Sequence, residues 1–224
     1  VQVDLEAAVA PKESAVAWLG FEAKRTNETL RFPVCSGWVA GSKAVVTTGE
    51  LIAFLQTQHN PNKGFRVFVY LPQTERIVYV SGFKLHPHYR PDSADNISPH
   101  NNLGMALVDE TLAVACPWTR NPTGKVDGGT EVLVRGFLIS EEMQRRPYDQ
   151  ASPLKLVRSR TRIVAGDAAD SSVPFPRRVL DLKSPAGLDG APVFGVDGQV
   201  LGIVLQIQEK SYAVLCAGLA GLMD

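Results

Sequence analysis

Cysteine is scarce in this chain of 224 residues, and what there is does not pair. Cys35, Cys116 and Cys216 make an odd count, and no two stand at the spacing of a metal clip. A disulfide framework is not expected, and all three read as small buried hydrophobes. An excess of one charge is also missing. Lysine plus arginine number 23 and aspartate plus glutamate number 23, for a net charge of zero. That balance argues against nucleic acid and against an anionic membrane as the main partner, since both need a basic surface. No apolar run approaches the roughly 20 residues that cross a bilayer, so no membrane insertion is expected. The opening residues Val1 to Glu6 lack the basic start and apolar core of a signal peptide. Internal repeats and low-complexity tracts are absent, and helical periodicity is rare.

What is present is strand signal. Ser14 to Phe21, Phe32 to Ala40 and Ala44 to Thr48 read as strands, the last two joined through a Gly41-Ser42 hairpin turn. Arg66 to Leu71 and Arg76 to Val80 flank Pro72 to Glu75, a second hairpin. Leu103 to Val108, Glu131 to Gly136, Leu154 to Val164, Val200 to Gln208 and Tyr212 to Cys216 complete the set. Two short helices are expected, over Glu50 to Gln58 and over Ala217 to Met223. Fifteen prolines and nineteen glycines punctuate the chain, as many short strands require. Pro117 to Gly129 has the composition of a linker and divides the chain into similar halves. The expected fold is all-β: two six-stranded antiparallel barrels over residues 12–116 and 130–224, joined by 117–129.

Three segments carry a specific pattern. The first is Ser36-Gly37-Trp38-Val39-Ala40 with Ala44 to Glu50 after its turn. The second is His86-Pro87-His88-Tyr89 followed by Asn102 to Leu107. The third is Gly187-Leu188-Asp189-Gly190-Ala191-Pro192-Val193-Phe194, with Asp197-Gly198 and a strand through Gly202-Ile203. Together they resemble the trypsin-like serine proteases, and within them the HtrA/Deg branch. Asp181, eight positions before Asp189, fits the same pattern. The resemblance spans Ser14 to Cys216 and implies the double-barrel fold. By analogy it also implies an extracytoplasmic, periplasmic bacterial setting.

The departures fall on the reacting residues. Glu50 stands where the resemblance places a histidine base. Asn102, or Asn101 if the register slips by one, stands in place of the orienting aspartate, and Asp189 in place of the serine nucleophile. The three are 52 and 87 residues apart, an ordinary pacing for that fold. Acyl transfer needs a hydroxyl or thiol nucleophile and a base of near-neutral pKa. An aspartate has no hydroxyl, and a glutamate is a weak base with a pKa of about 4.3. The expectation is therefore a pseudoprotease, not an enzyme, that binds an extended peptide or protein segment as a scaffold or regulatory module. Hydrolysis through the carboxylates Glu50 and Asp189, and a purely structural spacer, are the alternatives.

The resemblance implies that the amides of Gly187 and Asp189, with Gly190 after them, form a vestigial oxyanion turn. Asp189 is expected to cap those donors while Glu50 faces solvent, so that Asp189→Asn lowers stability at neutral pH. The cleft edge implied for peptide is Ile203, Val204 and Leu205, which would take a peptide as an added strand. No cofactor and no metal are expected. His86 and His88 with Asp92, Asp95 or His100 make a conceivable metal set, but they read as surface-loop histidines. Ser184 and Cys216 read as structural, and Arg145-Arg146 and Arg177-Arg178 as solvated loops. The stripe Arg158, Arg160, Arg162 reads as a solvated strand face.

Overall fold

The computed structural model describes residues 9–90, 102–113, 128–149, 153–164, 178–182, 187–207, 210–215 and 222. The first six strands are β1 (Val16–Lys24), β2 (Thr29–Gly41), β3 (Ala44–Thr47), β4 (Phe65–Leu71), β5 (Arg76–Leu85) and β6 (Gly104–Val108). They close into an antiparallel barrel in the order β1-β2-β3-β6-β5-β4. Both expected hairpins are there, β2–β3 and β4–β5. Six further strands follow: β7 (Glu131–Phe137), β8 (Leu156–Val164), β9 (Arg178–Leu180), β10 (Pro192–Phe194), β11 (Val200–Ile207) and β12 (Lys210–Leu215). They form a second antiparallel sheet, in which β10 pairs with β11 on one side and with β7 on the other. The strands β9 and β10 have three residues each, too short for a period-2 pattern to mark them in the sequence.

Packing follows the alternation. Trp18, Trp38, Phe68 and Leu19 are fully buried in the first barrel, and their cluster runs on into Leu133, Phe137, Phe194 and Ile203 of the second sheet. Trp18 anchors an aromatic group, with Phe68, Tyr70 and Tyr148 rings all within 5.2 Å. Tyr148 follows the short helix α2 (Glu141–Gln144) of the second half, so this contact ties the two halves together. Pairs of this kind contribute about 0.5–1.5 kcal/mol beyond their area.

The one longer helix, α1 (Gly49–Gln58), agrees with the helix expected over Glu50 to Gln58. The Thr48 hydroxyl caps it, accepting from Leu51 N at 3.4 Å. Ahead of β1, a 3-10 turn over Ala10–Ala15 lies against the second sheet. Its Glu13 forms ion pairs with Arg135 and with Arg158, the latter at 2.9 Å, and Lys12 Nζ donates to Gly198 O at 2.9 Å. Arg135 is 1% exposed in the middle of β7. Most of the linker Pro117 to Gly129, with Cys116, Cys216 and nearly all of the tail helix, lies outside the described residues. Cys35 is free and buried.

Candidate functional site

The three departed positions come from three separate elements. Glu50 opens α1 and is exposed. Asn102 lies in the approach to β6 and is 4% exposed, and Asp189 sits in the turn before β10 at intermediate burial. The register is set by Asn102 itself, since its Oδ1 accepts from the amide of Glu50 at 2.8 Å. That bond satisfies one of the amides that the first turn of a helix leaves open. Asn102 therefore holds the N-terminus of α1 and its backbone against the β6 approach. Asn101 lies outside the described residues.

Across the cleft, the charge of Glu50 reaches Asp189. Burial is the main cause that pushes the Asp189 carboxyl up from 3.8 to about 6, and Glu50 adds to it. The Gln206 amide and Asp189's own amide pull the other way. Gln206 N donates to Asp189 Oδ1 at 2.7 Å. The Gln206 side chain also turns back, and its Oε1 accepts from Gly187 N at 2.8 Å and Leu188 N at 3.2 Å. The turn thus differs from expectation. Asp189 meets its own amide, but Gln206 takes that of Gly187, so the carboxylate does not cap the whole donor set. Burial, which raises the Asp189 pKa, works against the stabilising charge expected there. Gln206 was missed in the sequence reading. A lone glutamine directly after a buried strand core gives no local signal of where its amide will turn.

Glycines fix the turn. Gly187 has φ 110° and Gly190 φ 78°, values that side-chain-bearing residues rarely adopt. A Cβ at Gly190 would stand 2.0 Å from Thr47 Oγ1 and 2.2 Å from Ser36 O, so the turn abuts the first barrel at backbone distance. Ser36 N donates to Asp189 O at 3.2 Å across the same seam. Next to it, a Cβ added to Gly136 would stand 2.5 Å from the Cβ of Ala191.

Ile203 and Val204 do not form an open edge, which corrects the expected placement. Ile203 is paired with Pro192 on one side and Val214 on the other. Val204 N donates to Ala191 O at 2.8 Å, and its carbonyl accepts from Gly190 N at 2.9 Å. Leu205 is buried and pairs with Tyr212 on the β12 side. The short β10 ends the pairing there, and the turn meets β11 again only at Gln206.

Among the described residues, Cys35 is the thiol near Asp189. Cys35 is close enough to feel its charge, but burial, first among its causes, pushes the thiol up to about 12. Thr47 Oγ1 donates to its sulfur at 3.6 Å. Ser184 lies outside the described residues. His86 is 6% exposed, not a surface-loop residue as expected, and burial lowers its pKa. Its Nδ1 accepts from His88 N at 3.2 Å. Asp92, Asp95 and His100 lie outside the described residues, and among the described residues no three side chains are grouped to hold a metal.

No protein family matches the chain by sequence pattern, and no curated protein matches it. Solved structures match it in fold. The protease Rv3671c from M. tuberculosis, in its active form, has a TM-score of 0.61 at 16% identity, over 99% of this chain and 86% of that one. An inactive serine-to-alanine form of Rv3671c from strain H37Rv has a TM-score of 0.59 at 16% identity, over 99% and 90%. The HtrA-type protease AlgW with a decapeptide has a TM-score of 0.63 at 13% identity, over 99% and 66%. The scaffold is that of the trypsin-like proteases. The expectation of a pseudoprotease that is no enzyme is corrected by this finding. The structures sharing the fold are named proteases, one in its active form, and what they share with this chain is a protease fold. Three substituted side chains change what those positions offer chemically, and they do not by themselves make the chain a non-enzyme.

Proposed function

We propose that the chain is a trypsin-like domain that takes an extended peptide in the cleft at Glu50, Asn102 and Asp189. In this reading the second sheet is the second barrel of the pair, with halves over 12–116 and 130–224 joined by 117–129. One observation carries it: the amides of Gly187 and Leu188 are already engaged by an amide carbonyl, that of Gln206. A peptide carbonyl has the same chemistry and fits the same donors. The peptide would lie along Leu205 and Gln206, where β10 no longer covers β11, and displace the Gln206 side chain. The HtrA-type protease AlgW holds peptides in its solved structures, which supports the same use of the fold. Titration with an extended-peptide library, followed by the amide resonances of Gly187, Leu188 and Gln206, tests the reading. Gln206→Ala should tighten binding by removing the competing carbonyl. If no peptide moves these resonances in either protein, the proposal fails.

Carboxylate-based hydrolysis is a second reading, favoured by the raised Asp189 pKa of about 6 beside the charge of Glu50. Such a value suits a group that exchanges a proton near neutral pH. Cleavage of a peptide, ester or glycoside substrate with a break near pH 6, lost in both Asp189→Asn and Glu50→Gln, is its signature. Activity retained in both variants removes it.

A further inference from the structure

The far end of β1 carries a row of charge that the cleft does not use. Cross-strand register places Glu22 of β1 between Arg31 of β2 and Arg66 of β4. Lys24 is two residues on from Glu22 and so shares its face of the strand. The guanidinium of Arg66 lies 3.4 Å over the ring of Tyr79 in β5, which fixes its plane. These five residues line one cleft of about 330 Å³, within the range of small-molecule sites.

Its floor is already committed. Glu22 is 5% exposed, accepts from Arg31 Nε at 3.3 Å, and is also hydrogen-bonded to the Tyr79 hydroxyl. One carboxylate therefore faces three cations, and two of those, Lys24 and Arg66, are exposed at the rim. The other acid nearby in sequence, Glu28, pairs with Arg25. Three cations from neighbouring strands gathered about one carboxylate repel one another, and a bound anion relieves that repulsion. Planar guanidinium forks match the oxygens of phosphate and carboxylate groups.

We propose that this cleft is a binding site for a small multivalent anion carrying phosphate or carboxylate groups. Arg66 and Lys24 contact the anion, and Glu22 holds Arg31 in position beneath it. The site is on the first barrel and does not depend on the peptide-binding reading of the cleft between the halves.

Amide-resonance titrations of the whole chain with inorganic phosphate and with citrate, each against sodium chloride at matched ionic strength, test the site. Saturable shifts at Ala23, Val67 and Tyr79 are expected, absent with chloride. A response to phosphate alone assigns a phosphate-bearing ligand, and a response to citrate alone a carboxylate-bearing one. Arg66→Gln and Lys24→Gln alter exposed side chains and leave the buried Glu22–Arg31 pair intact. Each should weaken binding about tenfold, the effect of losing one charge-assisted contact. Shifts that match the chloride control, or that persist at full strength in both variants, overturn the proposal.

Discussion

In the first barrel, the buried amide of Asn102 and the hydroxyl of Thr48 both serve amides of α1, a helix of the same half. In the second sheet, the deeply buried Arg135 finds its acid in Glu13, which precedes β1 in the chain. The helix of the first half has its open amides served within that half, whereas the buried arginine of the second draws its counter-charge from a segment outside both sheets. The contrast teaches that the turn Ala10–Ala15, through Lys12 and Glu13, serves the second sheet although it leads into the first. A buried guanidinium tolerates no vacancy opposite it, because the cost of removing one partner exceeds what the pair contributes.

The largest effect should come from breaking that pairing. Glu13→Ala removes the acid paired with the buried Arg135 and should cost about 3–5 kcal/mol in urea unfolding, with amide-exchange protection lost first in β7 and β8. Adding Arg135→Met should restore most of it, since a well-packed apolar side chain replaces the buried charge. Equal loss of protection in β1 to β6 would erase the contrast between the halves.

The next effect concerns Asp189. Its pKa of about 6 in the folded chain lies above the ordinary 3.8, so between those values the folded protein holds a proton that the unfolded chain has released. The stability this confers is full below about pH 4, falls as pH rises towards 6, and stays lost above it. Asp189→Asn should therefore be more stable than the parent at pH 7–8, by about 2–3 kcal/mol, with a flat profile between pH 4 and 6. A thermal-melt series over pH reads this directly. A neutral-pH loss in the variant would mean that the charge is stabilising after all.

Smaller effects come from the two amide contacts that hold the sides of the cleft. Gln206→Ala removes the acceptor for Gly187 and Leu188 and should cost about 1–2 kcal/mol, confined to the second half by amide exchange. Asn102→Ala leaves the Glu50 amide without its acceptor and should cost about 1 kcal/mol, with faster exchange in the first turn of α1. Exchange changes that cross from one half to the other in either variant would show the halves coupled through the cleft.

Much of the fold was legible because both hairpins and the capped helix carry local signals. Pro72 to Glu75 and the Glu50 to Gln58 periodicity fell where the structure has them, and the first hairpin turn lies at Ser42-Lys43, one residue past the expected Gly41-Ser42. The missed parts were settled by distant contacts. The strands β9 and β10 exist because longer neighbours pair with them. Nothing local marks Arg135 as buried, and its partner Glu13 comes from far away in the chain. At the site, the resemblance implied that Glu50, Asn102 and Asp189 share one neighbourhood, where Asn102 bonds the Glu50 amide and the Glu50 charge acts on Asp189. The roles were not. Asn102 serves a backbone amide, Gln206 occupies the turn, and β11 is closed at Ile203 and Val204 because the 190–191 turn reaches it first.

The near-collision between Gly136 and Ala191 leaves the two positions room for one methyl group between them. A Cβ added at 136 would stand 2.5 Å from the Ala191 Cβ and 3.0 Å from Ser36 Oγ of the first barrel. Gly136→Ala should therefore be costly in this chain and cheaper once Ala191 is reduced to glycine, so the seam accepts the two changes as a pair more readily than the first alone.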